Sequence, residues 1–265
     1  MSRRAPVRRP PAAAVAIAAV GFAVFFALPL LGLLARVAWS DVLRDLGDPA
    51  VRPALRLSLT CSTAATALSV VIGVPLAWVL ARTEFPGKGI VRALAILPMV
   101  LPPVVGGVAL LSAFGRRGIA GRWLDEWFGV QIPFTTTAAV MAATFVSMPF
   151  LVVTVDGALR AFDTRYEDAA ASLGAGRWTM FRRVTLPMIG PSLTAGVALT
   201  WARALGEFGA TITFAGNLRG ETQTMPLAVY LTLQSDPGAA LTLSLVLLAV
   251  SVLVLALVGR RAFAR

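Results

Sequence analysis

Six long apolar runs constrain this chain more than any other feature of its sequence. The runs cover residues 12–35, 57–81, 93–115, 135–155, 188–208 and 239–259. Each contains about the 20 residues that an α-helix needs to cross the hydrocarbon core of a bilayer. Apolar residue types make up 57% of the chain and charged residues only 14%, which excludes an ordinary soluble domain. We therefore predict an all-α integral membrane protein with six transmembrane helices.

The Lys and Arg residues are distributed unevenly around these six spans. With both termini inside, fifteen basic residues fall on cytoplasmic segments and eight fall in or next to outer loops. An excess of Lys and Arg marks the cytoplasmic side of a membrane protein. We predict cytoplasmic tails at residues 1–11 and 260–265, and one transmembrane domain over residues 12–259 in the cell (inner or cytoplasmic) membrane. The net charge of +11 thus orients the chain and indicates no nucleic-acid partner.

The third apolar run contains several residues that disfavour a helix interior. They are Pro98, Pro102, Pro103, Gly106 and Gly107. In a membrane, such residues are tolerated where neighbouring helices or a water-filled path satisfy the freed backbone carbonyls. Two interpretations stay open: a simple proline kink, and a bent helix beside a translocation path. On the second interpretation, Pro102 and Pro103 are candidate gate residues.

Two charged residues, Arg203 and Glu207, interrupt the otherwise apolar fifth run. Because they are four residues apart, they lie on one helix face and can pair. Ionisable groups inside a membrane are costly and usually face a pore or a partner. One interpretation is an ion pair that holds the helices together; the other, which we favour, is a role at an outer gate. On the gate interpretation, exchanging the two charges is expected to restore assembly but not the transport of an anion.

The segment 160–187 is polar and basic, although it lies between the fourth and fifth apolar runs. Thr164 followed by Glu167 predicts a capping box that starts a short helix. Gly174 can supply the left-handed residue that ends this helix. A second short helix is expected to follow and to stop at Pro187, because proline is disfavoured inside a helix. Two short helices joined by a glycine predict a docking site for another protein.

This segment resembles the cytoplasmic coupling loop of ABC importer permeases. The pattern of that loop is Glu-Ala-Ala, three residues, Gly, nine residues, Ile, one residue and Leu-Pro. The chain has the same spacing throughout, with Asp168 in place of the Glu and Val184 in place of the Ile. The resemblance implies that the loop contacts a separate ATPase subunit. The residues assigned to this coupling loop are Glu167, Asp168, Ala169, Ala170, Gly174, Val184, Leu186 and Pro187.

A second stretch, after the fifth run, extends the resemblance. Residues 206–211 (Gly-Glu-Phe-Gly-Ala-Thr), 215–217 and 220–230 are similar to the molybdate branch of these permeases, and sulfate permeases have a related pattern. The resemblance implies a translocation subunit of an ABC importer that carries an oxyanion into the cytoplasm, molybdate in preference to sulfate or tungstate. The residues that we assign to the translocation path or gate are Pro102, Pro103, Arg203, Glu207, Phe208, Gly209, Thr211 and Asn217.

The resemblance also implies the partners, which are a second copy of the chain, two ABC ATPase subunits and an extracytoplasmic oxyanion-binding protein. The single lysine, Lys88, is not followed by Ser or Thr, so the sequence lacks the phosphate-binding loop of an ATPase. ATP and Mg²⁺ are therefore expected on the ATPase subunits, with no cofactor bound by this chain.

Other functional classes fit the composition less well. The chain contains no His and a single Cys, Cys61, and it shows no nucleophile–base pair, so we expect neither a metal site nor an enzyme. A self-sufficient secondary carrier would need coupling-ion sites near the midplane of the membrane. The central parts of the spans contain no acidic cluster, which counts against a carrier and leaves it as the alternative.

Overall fold

The computed structural model describes residues 12–263, and every regular element in that range is a helix. The helices in chain order are α1 (Ala12–Arg36), α2 (Val42–Leu46), α3 (Val51–Arg82), α4 (Lys88–Val100), α5 (Pro103–Phe114), α6 (Gly121–Phe128), α7 (Thr136–Ala161), α8 (Arg165–Ser172), α9 (Arg177–Met180), α10 (Leu186–Leu205), α11 (Gly209–Phe214), α12 (Met225–Ser235) and α13 (Pro237–Phe263). A π-helical turn, Phe181–Thr185, joins α9 to α10 without a break. The predicted tail 1–11 and the last two residues of the tail 260–265 lie outside the described residues.

Within residues 12–263, five helices are long and apolar enough to cross a membrane. They are Val15–Arg36, Val51–Arg82, Thr136–Ala161, Arg177–Leu205 and Pro237–Val254. The expected third span, residues 93–115, is instead divided between α4 and α5. Leu101 and Pro102 have extended backbone between these helices, with ψ angles of 135° and 132°. Two consecutive prolines lack backbone donors and keep the preceding residue out of the helical region. The bend predicted from the breakers is therefore a complete break.

The second and fourth spans are longer than their apolar runs. α3 begins at Val51 instead of residue 57, and α7 ends at Ala161 instead of residue 155. The added turns carry charged side chains, which are Arg52, Arg56, Asp156 and Arg160. Hydropathy marks the part of a helix that matches the hydrocarbon core, whereas backbone hydrogen bonding continues into the polar interface.

The predicted helix end at Pro187 is wrong. The helix Arg177–Leu205 continues through this residue as one element of 29 residues. In the π turn, the Leu186 N–H donates to the Phe181 carbonyl, five residues back, and Pro187 falls in the first turn of α10. A proline within a continuous helix removes one backbone hydrogen bond, and the wider π turn directly before Pro187 is where this helix departs from α geometry around the missing bond.

α7 occupies the centre of the fold, where α3, α4, α5, α10 and α11 pack around it. Its buried face contains small residues, which are Ala138, Ala139, Ala142 and Ala143. Small residues let helix backbones approach closely, which is how helices associate in a membrane. Many large apolar side chains on α1, α4 and α5 are exposed, among them Phe25, Val100 and Val108. Such extensive apolar exposure fits lipid or a protein partner.

The stretch between the fifth and sixth apolar runs is more ordered than its polar composition predicts. It folds into α11 and α12, and Phe214, Met225 and Leu227 are fully buried. The first N–H of α12 is satisfied by α3, because Met225 N donates to Ser58 Oγ at 2.7 Å. α11 packs against α5, so this stretch closes over the broken third span.

Candidate functional site

The first half of the coupling loop forms α8, but without the predicted capping box. The Thr164 side chain makes no cap hydrogen bond, and Asp163 Oδ1 instead accepts from Arg165 N at 3.0 Å. The carboxylate of Glu167 is engaged elsewhere, because Arg82 Nη2 lies 3.2 Å from its Oε1. Both partners of this contact are ionised, whereas a capping box would offer the carboxylate only a neutral backbone N–H, so the pair with Arg82 competes well against the cap.

The left-handed conformation predicted for Gly174 is confirmed. Its φ is 81°, and it ends α8 in a Schellman motif. The Ala175 N–H donates to the Ala170 carbonyl at 3.0 Å, and the Gly174 N–H donates to the Ala171 carbonyl at 2.9 Å. This turn sets the angle between α8 and the start of the next helix.

Large apolar side chains are exposed on both sides of this glycine. Leu173 is 89% exposed and Trp178 is 70% exposed, and both belong to a polar, basic segment. Tyr166, Asp168 and Ala169 are exposed as well. We define these five residues, with Gly174 between them, as the docking surface. A contiguous apolar surface rimmed by polar residues is typical of a protein–protein contact.

The other residues assigned to the coupling loop divide between the two sides of the segment. Pro187 is exposed, whereas Glu167, Ala170, Val184 and Leu186 are partly buried. The Trp178 ring stacks on Phe181, with ring centroids 5.6 Å apart. The loop is therefore a folded unit with an outward and an inward face. Two inward residues, Arg82 and Thr185, were missed because neither belongs to the coupling-loop pattern.

Two chain breaks meet at the opposite end of the helix Arg177–Leu205. One is the break at Leu101–Pro102, and the other is Gly206–Phe208 between α10 and α11. A Cβ atom added at Gly209 would lie 2.9 Å from Pro103 Cβ and 3.1 Å from Val104 N. The glycine therefore permits direct backbone contact between α5 and α11. We call this contact of the two breaks the gate junction.

The predicted pair of Arg203 and Glu207 forms at the gate junction, with Arg203 Nη2 at 2.7 Å from Glu207 Oε2. Glu207 lies beyond the end of α10, however, and not on its face. Its other oxygen, Oε1, accepts from Ala210 N at 2.7 Å and so caps α11. The Glu207 side chain is 2% exposed and that of Arg203 is 27% exposed. The carboxylate thus holds the junction together, while part of the guanidinium remains accessible.

The remaining gate candidates are only partly brought together. The Phe208 ring lies 5.1 Å from the Tyr230 ring of α12, and Thr211 is buried within α11. Asn217 follows the opposite end of α11 from Glu207. Its buried Oδ1 has no hydrogen-bond partner among the described residues. The structure therefore unites Pro103, Gly209, Arg203 and Glu207, and it leaves Asn217 apart from them.

The close contact at Gly209 predicts that the same substitution to alanine has different effects on stability at Gly209 and at Gly206. Gly209→Ala is expected to lower the free energy of unfolding by about 1–3 kcal/mol, because the added methyl group overpacks the contact with Pro103. Gly206→Ala is the matched control, since its added Cβ would meet only the Ala202 carbonyl oxygen, at 3.7 Å. Melting temperatures of the two variants in detergent measure the difference. Equal melting temperatures would contradict the close contact.

The long apolar helices and the exposed docking surface together are those of a membrane protein with a surface suited to a protein partner. Residues 69–264 match the family described as binding-protein-dependent transport system inner membrane component, and the chain belongs to that family.

Curated relatives of the chain include permeases for two kinds of anion. The molybdenum transport system permease protein ModB of Mycobacterium tuberculosis is 48% identical over 247 residues, which cover 93% of each chain. ModB of Escherichia coli is 46% identical over 185 residues, or 70% of this chain and 81% of that one. The sulfate transport system permease protein CysT of Escherichia coli is 39% identical over 232 residues, or 86% and 83%.

Solved ABC transporters share the fold at much lower identity. A bacterial alginate ABC transporter, in complex with an alginate-bound periplasmic protein, gives a TM-score of 0.75 at 16% identity, with 95% and 93% of the two chains covered. The MetNI methionine ABC transporter gives a TM-score of 0.62 at 19% identity, with 80% of this chain and 94% of that one covered. These likenesses establish the fold.

Proposed function

We propose that the chain is the translocation subunit of an ABC importer that carries molybdate into the cytoplasm. The observation that carries the proposal is the docking surface, which exposes Leu173 and Trp178 around a left-handed glycine. An exposed apolar surface of this kind needs a partner, and an ABC ATPase subunit supplies one. The identity to molybdenum permeases, 48% over nearly the whole chain, supports molybdate as the transported anion.

The assembly that we propose contains two copies of the chain, two ATPase subunits and an extracytoplasmic binding protein. ATP and Mg²⁺ bind to the ATPase subunits, and the chain itself binds no cofactor. We place the docking surface and both termini in the cytoplasm. In this arrangement α4 and α5 together make the third of six crossings, and the break between them lies along the transport path, where α5 contacts α11.

Transport then follows from two packings of the same helices. ATP draws the ATPase subunits together, and they displace the docking surfaces of both permease copies. The helices rock, the gate junction opens outwards, and the anion enters from its binding protein. Each ligand state favours a different packing, as alternating access requires. The partly exposed guanidinium of Arg203 offers a positive group to the oxyanion, since Arg pairs well with tetrahedral and planar anions.

Sulfate is the second candidate, because CysT of Escherichia coli is 39% identical to the chain. Reconstitution of the chain in liposomes, with an ATPase subunit and a binding protein from the same organism, distinguishes the two anions. We expect uptake of radiolabelled molybdate that requires ATP, and slower uptake of sulfate by at least about tenfold. Faster uptake of sulfate would make the protein a sulfate permease. Uptake without ATP that follows an ion gradient would indicate a secondary carrier.

The proposed orientation is tested by single cysteines at two exposed positions, one at the end of α8 and one in the loop before α12. Ser172→Cys is expected to react from the cytoplasmic side only, and Arg219→Cys from the outer side only. The native Cys61 is buried, so it contributes little background labelling. Membrane-impermeant maleimide on intact cells and on inverted vesicles measures the two sides. Reaction of both cysteines from the same side would contradict the six-crossing arrangement.

A further inference from the structure

Two neighbouring acidic residues of α8 point in different directions. The Asp168 side chain belongs to the exposed docking surface, whereas the Glu167 side chain is only 16% exposed. Successive residues of an α-helix are rotated by about 100° around its axis, so two adjacent side chains can face different surroundings, and the low exposure of Glu167 shows that its side chain does. Glu167 therefore faces the body of its own chain.

One carboxylate oxygen of Glu167 contacts two other helical elements. Thr185 Oγ1 donates to Glu167 Oε1 at 2.6 Å, and Arg82 Nη2 donates to the same oxygen at 3.2 Å. Arg82 is the last residue of α3, and Thr185 is the last residue of the π turn. The group formed by Glu167, Arg82 and Thr185, which we call the Glu167 clamp, joins α8 to the end of α3 and to the π turn of the helix Arg177–Leu205.

The cation in the Glu167 clamp is itself held in place. The Arg82 side chain is 18% exposed. Its guanidinium carbon lies 5.8 Å from the centroid of the Trp78 ring and 5.2 Å from that of Phe162. Aromatic faces attract a cation, and the low exposure reduces the screening of its charge by water. The ion pair is therefore stronger than an exposed pair on a flexible surface.

The clamp meets the helix Arg177–Leu205 where that helix departs from α geometry. Thr185 is fully buried, and its hydroxyl contacts Glu167 rather than a backbone carbonyl of its own helix. π turns are often found at functional sites. The contact thus holds α8 against the irregular turn of the helix that leads to Arg203.

We propose that Glu167 is the positioning residue through which a displacement of α8 reaches α3 and the helix Arg177–Leu205, while Asp168 faces the ATPase subunit. This inference rests on the proposed function, and it deepens that function by separating the binding of the ATPase from coupling to it. Glu167 keeps the docking surface in one orientation relative to both helices. Without the clamp, the ATPase subunit would move α8 without moving the transport path.

Two conservative variants test the clamp in the full transporter. Glu167→Gln keeps an oxygen acceptor for Thr185 and removes the charge that pairs with Arg82. Thr185→Val removes the donor and keeps the shape. Both variants are expected to bind the ATPase subunit normally and to transport about tenfold less molybdate per ATP hydrolysed, since hydrogen bonds to charged groups are among the stronger ones. The matched control is Glu84→Gln, which removes an exposed carboxylate that pairs with Lys88 and is expected to change nothing.

Asp168→Asn is expected to affect the binding of the ATPase subunit and not the coupling of hydrolysis to transport. It is expected to weaken association with the ATPase subunit while leaving the ratio of transport to hydrolysis unchanged in the complexes that form. If Glu167→Gln gives this pattern instead, Glu167 belongs to the docking surface and the proposal is overturned. An unchanged ratio together with unchanged association in Glu167→Gln also overturns it.

A second measurement does not depend on transport. A spin label on Ser172→Cys in the purified permease reports the mobility of α8. We expect Glu167→Gln and Thr185→Val to increase that mobility, and a label on Arg219→Cys to be unaffected. Unchanged mobility of the α8 label excludes the clamp even where uptake fails. Increased mobility without any ATP-dependent uptake by the unmodified protein would retain the clamp and reject the proposed function.

Discussion

Gly174→Val is expected to leave the permease in the membrane and to abolish its ATP-driven uptake. The φ of Gly174 is 81°, a region that β-branched residues rarely adopt. Holding a non-glycine residue there costs about 1–3 kcal/mol. No other atom lies within 4 Å of a Cβ added at this position, so the effect comes from the backbone and not from a clash. The turn relaxes, and Leu173 and Trp178 no longer face one partner. Membrane abundance, co-purification of the ATPase subunit and uptake measure the outcome.

Two other glycines serve as matched controls. Gly87 has a φ of 83° in the turn between α3 and α4, so Gly87→Val imposes a similar strain away from the docking surface. We expect this variant to keep its ATPase subunit. Gly176 has a φ of −67° and open space around it, so Gly176→Val is expected to be tolerated by the fold. Normal uptake by Gly174→Val at normal abundance would refute the docking surface.

Glu207→Ala is expected to prevent assembly of a stable permease. The Glu207 carboxylate pairs with Arg203 and also caps α11 through Ala210 N. Removing one partner of a buried pair typically costs about 3–5 kcal/mol, which is a large fraction of the roughly 5–15 kcal/mol that stabilises a typical domain. Glu207→Gln is expected to be milder, because its amide oxygen can still accept from Ala210 N. Detergent size-exclusion profiles and melting temperatures measure the two effects.

Exchange of the two charges is the sharper test of this site. Spacing alone predicts that Arg203→Glu with Glu207→Arg restores assembly. The structure predicts that it does not, because a guanidinium has no acceptor for the Ala210 N–H. Arg203→Lys is the control that keeps the charge, and we expect it to assemble and to transport molybdate more slowly. A stable, fully active exchanged pair would show that the cap on α11 is dispensable.

The sequence predicted the long spans and the main local features of the site. Hydropathy found all the long helices, because length and apolar content decide a crossing. It misplaced their ends, since backbone hydrogen bonds extend past the apolar part. The positive φ of Gly174 and the pairing of Arg203 with Glu207 are also confirmed. Each joins residues that are close in sequence, although Glu207 makes its pair from beyond the end of α10 and not from the helix face on which the spacing placed it.

The contacts that determine the inward face of the coupling loop could not be predicted in this way. Glu167 and Thr164 fit a capping box equally well until the position of Arg82, 85 residues away, is known. The burial of Glu207 could not be predicted either, because it depends on how α11 folds back onto α5. The π turn gave no signal either, because it requires no particular residue type. Tertiary contacts overrode local preference at each of these positions.

The helix Arg177–Leu205 has a mechanical consequence. Its 29 residues correspond to a rod of about 43 Å, with Trp178 near one end and Arg203 near the other. A tilt of about 10° about one end displaces the other end by about 7 Å. The helix stays continuous through the π turn, Pro187 and Pro191, although π turns and prolines are the places where long helices bend. A displacement at one end of the protein is therefore carried to the other along a single helix, with the bend points confined to residues 181–191.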